Sequence, residues 1–134
     1  MSEAGGANRD ANREAERLED EMAQVCGVIN AATGALVALV GRVLETGAYQ
    51  GAGIRSAEQW LAWKCGLSSG RAQKVVAMAR RLAQLPELRA ALEAGEVSED
   101  QVAVACRHAP AHADAEVATL ARAATVAQLA RTLG

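Results

Sequence analysis

From Leu18 onward the apolar positions Leu18, Met22, Val25, Ile29, Ala32, Leu36, Leu39 and Val43 advance in alternating steps of four and three. That spacing is a heptad seam, and it predicts one long helix over residues 9–46. Gly27, Gly34 and Gly41 recur every seven residues on the opposite side. A glycine inside a helix costs about 1 kcal/mol against alanine. Three at one phase therefore predict a second helix packed closely on that face. A helix covered on both sides belongs inside a bundle. Residues 1–8 are small and polar, and a disordered tail is expected there.

Residues 46–55 are glycine-rich and predict a loop. Beyond it the helix signals are regular. Ser56-x-x-Gln59, Ser98-x-x-Gln101 and Thr125-x-x-Gln128 have capping-box form and predict helices over 57–65, 99–108 and 126–133. Gly66 and Gly95 stand where glycines end helices, and Pro86 suits the first position of a helix over 86–94. A further helix is expected over about 113–123, after "HAPAHAD" breaks the pattern. No stretch alternates with period two, so no sheet is expected. The prediction is a single all-α domain over 9–134: a multi-helix bundle with a long N-terminal helix, a helix-turn-helix over 57–85, and short helices over 86–134.

Composition agrees, since the apolar residues are mostly Ala, Val and Leu, with no Phe and one Tyr. The net charge of −2 gives no reason to expect nucleic acid, but its distribution does. Residues 55–89 carry seven Lys or Arg against Glu58 and Glu87, a local +5, whereas the N-terminal acidic run is net negative. Local charge steers a polyanion. Met22–Gly41 lacks charge and is long enough to raise a membrane span. Gln24, Asn30 and Thr33 inside it, and acids rather than bases before it, argue against one, so no membrane is expected. Cys26, Cys65 and Cys106 are odd in number and far apart, and read as reduced structural thiols of a cytoplasmic protein.

The turn at Gly66 carries the functional argument. The first helix is expected to bury Leu61, Ala62 and Cys65. Gly66 supplies the turn, and Ser68 or Ser69 caps the second helix, which buries Ala72, Val75 and Val76. Small Ala62 allows close crossing, and the spacing to Gly66, Ala72 and Val75 fits a DNA-binding helix-turn-helix with helix 69–84 in the groove. Arg71, Lys74, Arg80 and Arg81 would meet phosphates of double-stranded DNA, while Ser69 and Gln73 would reach bases and Ser68 the backbone. The alternative is a helical interaction domain that forms a homodimer through the seam of Met22, Val25, Ile29, Leu36, Leu39 and Val43.

Other chemistry weighs less. Cys106-x-His108-x3-His112 suggests zinc, but Pro110 divides the histidines and no fourth ligand is near in sequence, so a polar loop is expected. Trp60 and Trp63 are expected as core anchors. Glu14, Glu16, Glu19, Asp20 and Glu21 are interleaved with Arg13 and Arg17, as on a solvated helix face. No phosphate loop or nucleophile–base order is present, so neither enzyme activity nor a cofactor is expected in this chain.

The order "WLAWKCGLS", "MARRLAQLP", "ALEAGEVSEDQVAVA", set between a long Ala-rich helix and an Ala-rich end, resembles the DUF222 family, over roughly residues 14–134. That resemblance implies a helical domain that often precedes an HNH endonuclease module. A nuclease, if any, would then lie in such a module, of which this chain is expected to be a truncated N-terminal part. Gly66, Ser68-Ser69, Leu85-Pro86, Gly95 and Ser98 more weakly resemble the helix-turn-helix core of ParB-type partitioning proteins, with a longer second helix here.

Overall fold

A computed structural model describes residues 2–51 and 53–134, the side chains of Ser2 and Glu3 aside. It contains seven α-helices: α1 (Ser2–Thr46), α2 (Ala57–Cys65), α3 (Ser69–Leu82), α4 (Pro86–Glu93), α5 (Glu99–His108), α6 (Asp114–Ala123) and α7 (Val126–Leu133). A short 3-10 turn, Ala111–Ala113, precedes α6. Among the described residues there is no strand beyond an isolated bridge between Gly51 and Ile54. The all-α expectation holds, and α2, α5 and α7 have the predicted bounds.

The N-terminal boundary differs. Residues 2–8 continue α1 instead of forming a disordered tail, and Met1 lies outside the described residues. Alanines without a proline let the helix run on, with Asp10–Arg13 and Glu14–Arg17 pairs one turn apart further along.

The C-terminal half of α1 packs on α3 and α4. Thr33, Gly34, Val37 and Val40 are buried there, and the Thr33 hydroxyl donates to the Ile29 carbonyl of its own helix. The glycine phase does bring backbone close. A Cβ on Gly34 would stand 2.8 Å from the Cα of Glu93. One on Gly95, which has φ +81°, would stand 2.5 Å from the carbonyl oxygen of Gly27. Gly41 has nothing within 4 Å of such an atom, so two of the three glycines make the contact.

The second cover on α1 is absent from the described residues. Residues 7–26 are exposed at every position. Of the seam, Met22, Val25, Ile29 and Leu39 are exposed, while Leu36 and Val43 are half-buried. Leu36 packs partly against the core, and most of the rest of the seam does not pack within the chain. The helices that could cover it are used elsewhere: α2 packs on α3, α4 on α6 and α5 on α7. By length and composition α1 is apolar enough to cross a membrane, yet its apolar stretch includes the residues that dock on α3 and α4.

The core is aliphatic: Leu61, Val75, Val76, Leu82, Leu85, Leu88, Leu92, Val97, Val102 and Leu129 are essentially fully buried. Two polar side chains, Gln101 and Asp114, tie helices together, and others cap them locally. Gln101 completes the α5 capping box by accepting from the Ser98 N–H, and its amide donates to the carbonyls of Ala121 and Ala124 at the end of α6. Thr125 and Gln128 repeat the box at α7. At α2 the Ser56 hydroxyl accepts from Gln59, whose own amide oxygen takes the N–H of Arg55. Asp114, buried at the start of α6, accepts from the backbone N–H groups of Glu87 and Leu88.

Candidate nucleic-acid interface

The α2–α3 corner forms as the turn chemistry dictates. Gly66 ends α2 with φ 66° and ψ 32°, a left-handed conformation that any side chain would strain. The Leu67 N–H reaches the Ala62 carbonyl, and Leu67 packs against the core. The Ser68 hydroxyl then caps α3 by accepting from the Arg71 N–H. Ala72, Val75, Val76, Met78, Ala79 and Leu82 turn inward. α3 ends at Leu82, short of the expected residue 84, because Leu85 and Pro86 start the next element.

Two expectations about this corner need correction. Cys65 is exposed, not buried, because the glycine turn directs it away from α3. Trp60 packs partly against the core, but Trp63 is 67% exposed, with the Lys64 ammonium 4.3 Å above its ring. The two indoles lie only about 60° apart around α2, and the core covers the Trp60 side alone.

The outer ridge of α3 consists of Ser69, Gly70, Gln73, Ala77 and Arg80, all exposed. The Gln73 amide lies 3.5 Å from the Ser69 hydroxyl. The basic side chains beside this ridge are engaged within the chain. Arg71 pairs with Glu99 at 2.9 Å, and Lys74 with Glu99 at 3.6 Å and Asp100 at 3.0 Å. Arg80 reaches Glu58 at 3.3 Å, and Arg81 donates to Gln84 and to the Ala109 carbonyl. The +5 counted along residues 55–89 is thus offset at one end by the acids in the first turn of α5. Those acids are legible in sequence as a favourable start for α5. That they face α3 is a property of the fold.

Between α3 and α5 runs an open groove of about 600 Å³, lined by Gly70, Gln73, Lys74, Ala77, Met78, Arg81, Ala103, Cys106 and Arg107. Its charged lining is Lys74, Arg81 and Arg107, with no carboxylate. Arg107 was not among the expected site residues. Its place at the last turn of α5 shows only as a basic helix end in sequence. Burial in the groove floor pushes the Cys106 thiol up to about 11, against the opposing pull of the Arg81 guanidinium. Of the three thiols expected as structural, Cys26 and Cys65 are exposed, and Cys106 alone packs against the core. Iodoacetamide at pH 8 should modify the two exposed thiols quickly and Cys106 at least about tenfold more slowly, since the thiolate is the nucleophile. Peptide mapping against time checks this. Equal rates at all three would mean that the groove floor opens readily.

Among the described residues no group of three or more His, Cys, Asp or Glu could hold a metal, and His108 and His112 are both exposed. No curated protein and no solved structure matches the chain significantly. A family model does match, over residues 13–134, which takes in the free and docked halves of α1, the Gly66 corner and the α3–α5 groove alike. The chain belongs to the family described as Domain of unknown function (DUF222).

Proposed function

We propose that this domain binds duplex DNA, with α2, the Gly66 turn and α3 acting as a helix-turn-helix and the outer ridge of α3 entering the major groove. The observation that carries the reading is the groove beside that ridge, whose charged lining is Lys74, Arg81 and Arg107 without a carboxylate. A sugar-phosphate strand following it would meet three cations in succession, and cations on one face dominate affinity for a duplex. Ser69 and Gln73 would present hydroxyl and amide groups to base edges, while Ser68 and the first turn of α3 favour a phosphate.

The ion pairs of Arg71, Lys74 and Arg80 do not oppose this reading. Their cationic side chains are at least a third exposed, and such pairs are worth about 0–1 kcal/mol. Phosphates can take over those cations, leaving Asp100 to water and Glu99 and Glu58, 19% and 27% exposed, with only part of their surface solvated. The domain carries no proposed catalytic residue. Its role is to hold a longer protein, such as one with an HNH module, on the duplex.

The test is fluorescence anisotropy of a labelled duplex against salt, for wild type, Lys74→Ala and Arg107→Ala. Log affinity should fall linearly with log salt for the wild type, and each substitution should flatten the slope by about one. Neutralising Glu99 and Asp100 together (Glu99→Gln, Asp100→Asn) should raise affinity by freeing Arg71 and Lys74. Absence of binding at low salt, with circular dichroism unchanged, would overturn the proposal.

A further inference from the structure

Six of the eight large hydrophobic side chains left exposed among the described residues lie on α1: Leu18, Met22, Val25, Val28, Ile29 and Leu39. Five of these six belong to the heptad seam, and Val28 flanks it. Folded monomers rarely leave a contiguous apolar stripe of this length in water. From Leu18 to Val43 the seam spans about 38 Å at the rise of an α-helix.

The period and the length together select the occupant. A strict seven-residue repeat keeps its apolar line facing one partner only if that partner is another long helix with the same repeat. Lipid imposes no such repeat. The remaining α-helices are eight to fourteen residues long and cannot cover the seam. A helix of matching length and repeat is α1 itself.

Charge then sets the direction. With the two helices antiparallel, Leu18 opposes Val43, Met22 opposes Leu39, Val25 opposes Leu36, and Ile29 opposes Ala32. In that register Glu21 of each copy flanks the seam opposite Arg42 of the other, and Val28 meets Ala35. With the helices parallel, Glu14 would face Glu19 of the other copy, and the acidic stretches Glu14–Glu21 would lie side by side. Flanking charges decide orientation in such pairs. The antiparallel arrangement also lays the exposed residues 7–26 of one copy along the docked half of α1 in the other.

We infer that two copies of this chain associate through an antiparallel pairing of their α1 helices, with Glu21 of each copy facing Arg42 of the other. This inference does not rest on the proposal about DNA.

Sedimentation equilibrium of the full chain, from low micromolar to several hundred micromolar, tests it. Wild type should approach twice the chain mass. Ile29→Glu should be monomeric throughout, with an unchanged circular dichroism spectrum, because Ile29 is exposed within its own copy. Glu21→Arg should raise the dissociation constant roughly threefold to tenfold, since it turns two exposed attractive pairs repulsive. Adding Arg42→Glu should restore it. A parallel pair would not weaken, because in that register Glu21 faces Cys26 of the other copy at the end of its acidic stretch, with no Arg42 opposite. A wild type that stays monomeric, an Ile29→Glu variant of unchanged mass, or a Glu21→Arg variant that associates no less tightly would each overturn the inference.

Discussion

Gly34→Ala should lower the stability of the domain by about 2–4 kcal/mol, whereas Gly41→Ala, one heptad later at the same phase, should raise it by up to about 1 kcal/mol. At Gly34 the added methyl would lie 2.8 Å from the Cα of Glu93, 2.9 Å from its nitrogen and 3.0 Å from the Leu92 carbonyl carbon. All three are backbone atoms at the end of α4, so no side chain can rotate aside. Relief requires that α1 move away from α4, which would open the contacts of Val37 and Val40 with the core. The gain in helix propensity from alanine offsets only part of this. At Gly41 the methyl meets nothing within 4 Å, so the propensity gain stands alone. Thermal denaturation should show a Tm lower by several degrees for Gly34→Ala and slightly higher for Gly41→Ala. Equal shifts in the two variants would mean that α1 does not hold this docking in solution.

That contrast also marks how far sequence reaches. The glycine period predicted a close helix, and α4 supplies it at Gly34 while the α4–α5 turn supplies it at Gly27. Period alone does not distinguish these two from Gly41, which lies beyond the end of the contact. Caps were the most legible feature. Ser56, Ser68, Ser98 and Thr125 each accept the predicted backbone N–H, because a cap depends on residues three positions apart and on little else.

The candidate site was legible in part. The exposed ridge of α3 follows from its own periodicity, so Ser69 and Gln73 lie where they were expected. The surroundings of its cations do not follow. Glu99 and Asp100 are 25 or more residues away in sequence and reach Arg71 and Lys74 only once α5 has folded against α3. Arg107 joins the groove for the same reason. A charge count along the chain sums neighbours in sequence, whereas a polyanion meets neighbours in space. Trp63 failed as a core anchor on similar grounds: an apolar residue on a nine-residue helix is buried only if a partner reaches that side.

Asp114→Ala should cost about 2–3 kcal/mol, more than any other single polar truncation in the domain. Helix α4 begins with Pro86, which has no N–H, and its N-cap residue Leu85 offers no side-chain acceptor. The first backbone donors that need a partner are therefore those of Glu87 and Leu88. One carboxylate takes both, with Asp114 Oδ2 2.7 Å from the Glu87 nitrogen and Oδ1 3.0 Å from that of Leu88. It is 7% exposed, and the Leu88 side chain beside it is fully buried. Alanine would leave two donors without an acceptor at a helix start where negative charge is favoured. The same carboxylate also fixes the start of α6 against α4, so its loss loosens the element on which α1 docks. Asp114→Asn keeps one acceptor oxygen and turns an amide group toward the other N–H, so it should cost nearly as much despite its equal size. Urea denaturation should report both variants as a lower midpoint with an unchanged slope. A midpoint left in place by Asp114→Ala would mean that water reaches Glu87 and Leu88 and serves as well. A midpoint left in place by Asp114→Asn alone would mean that one acceptor is enough to seat the helix.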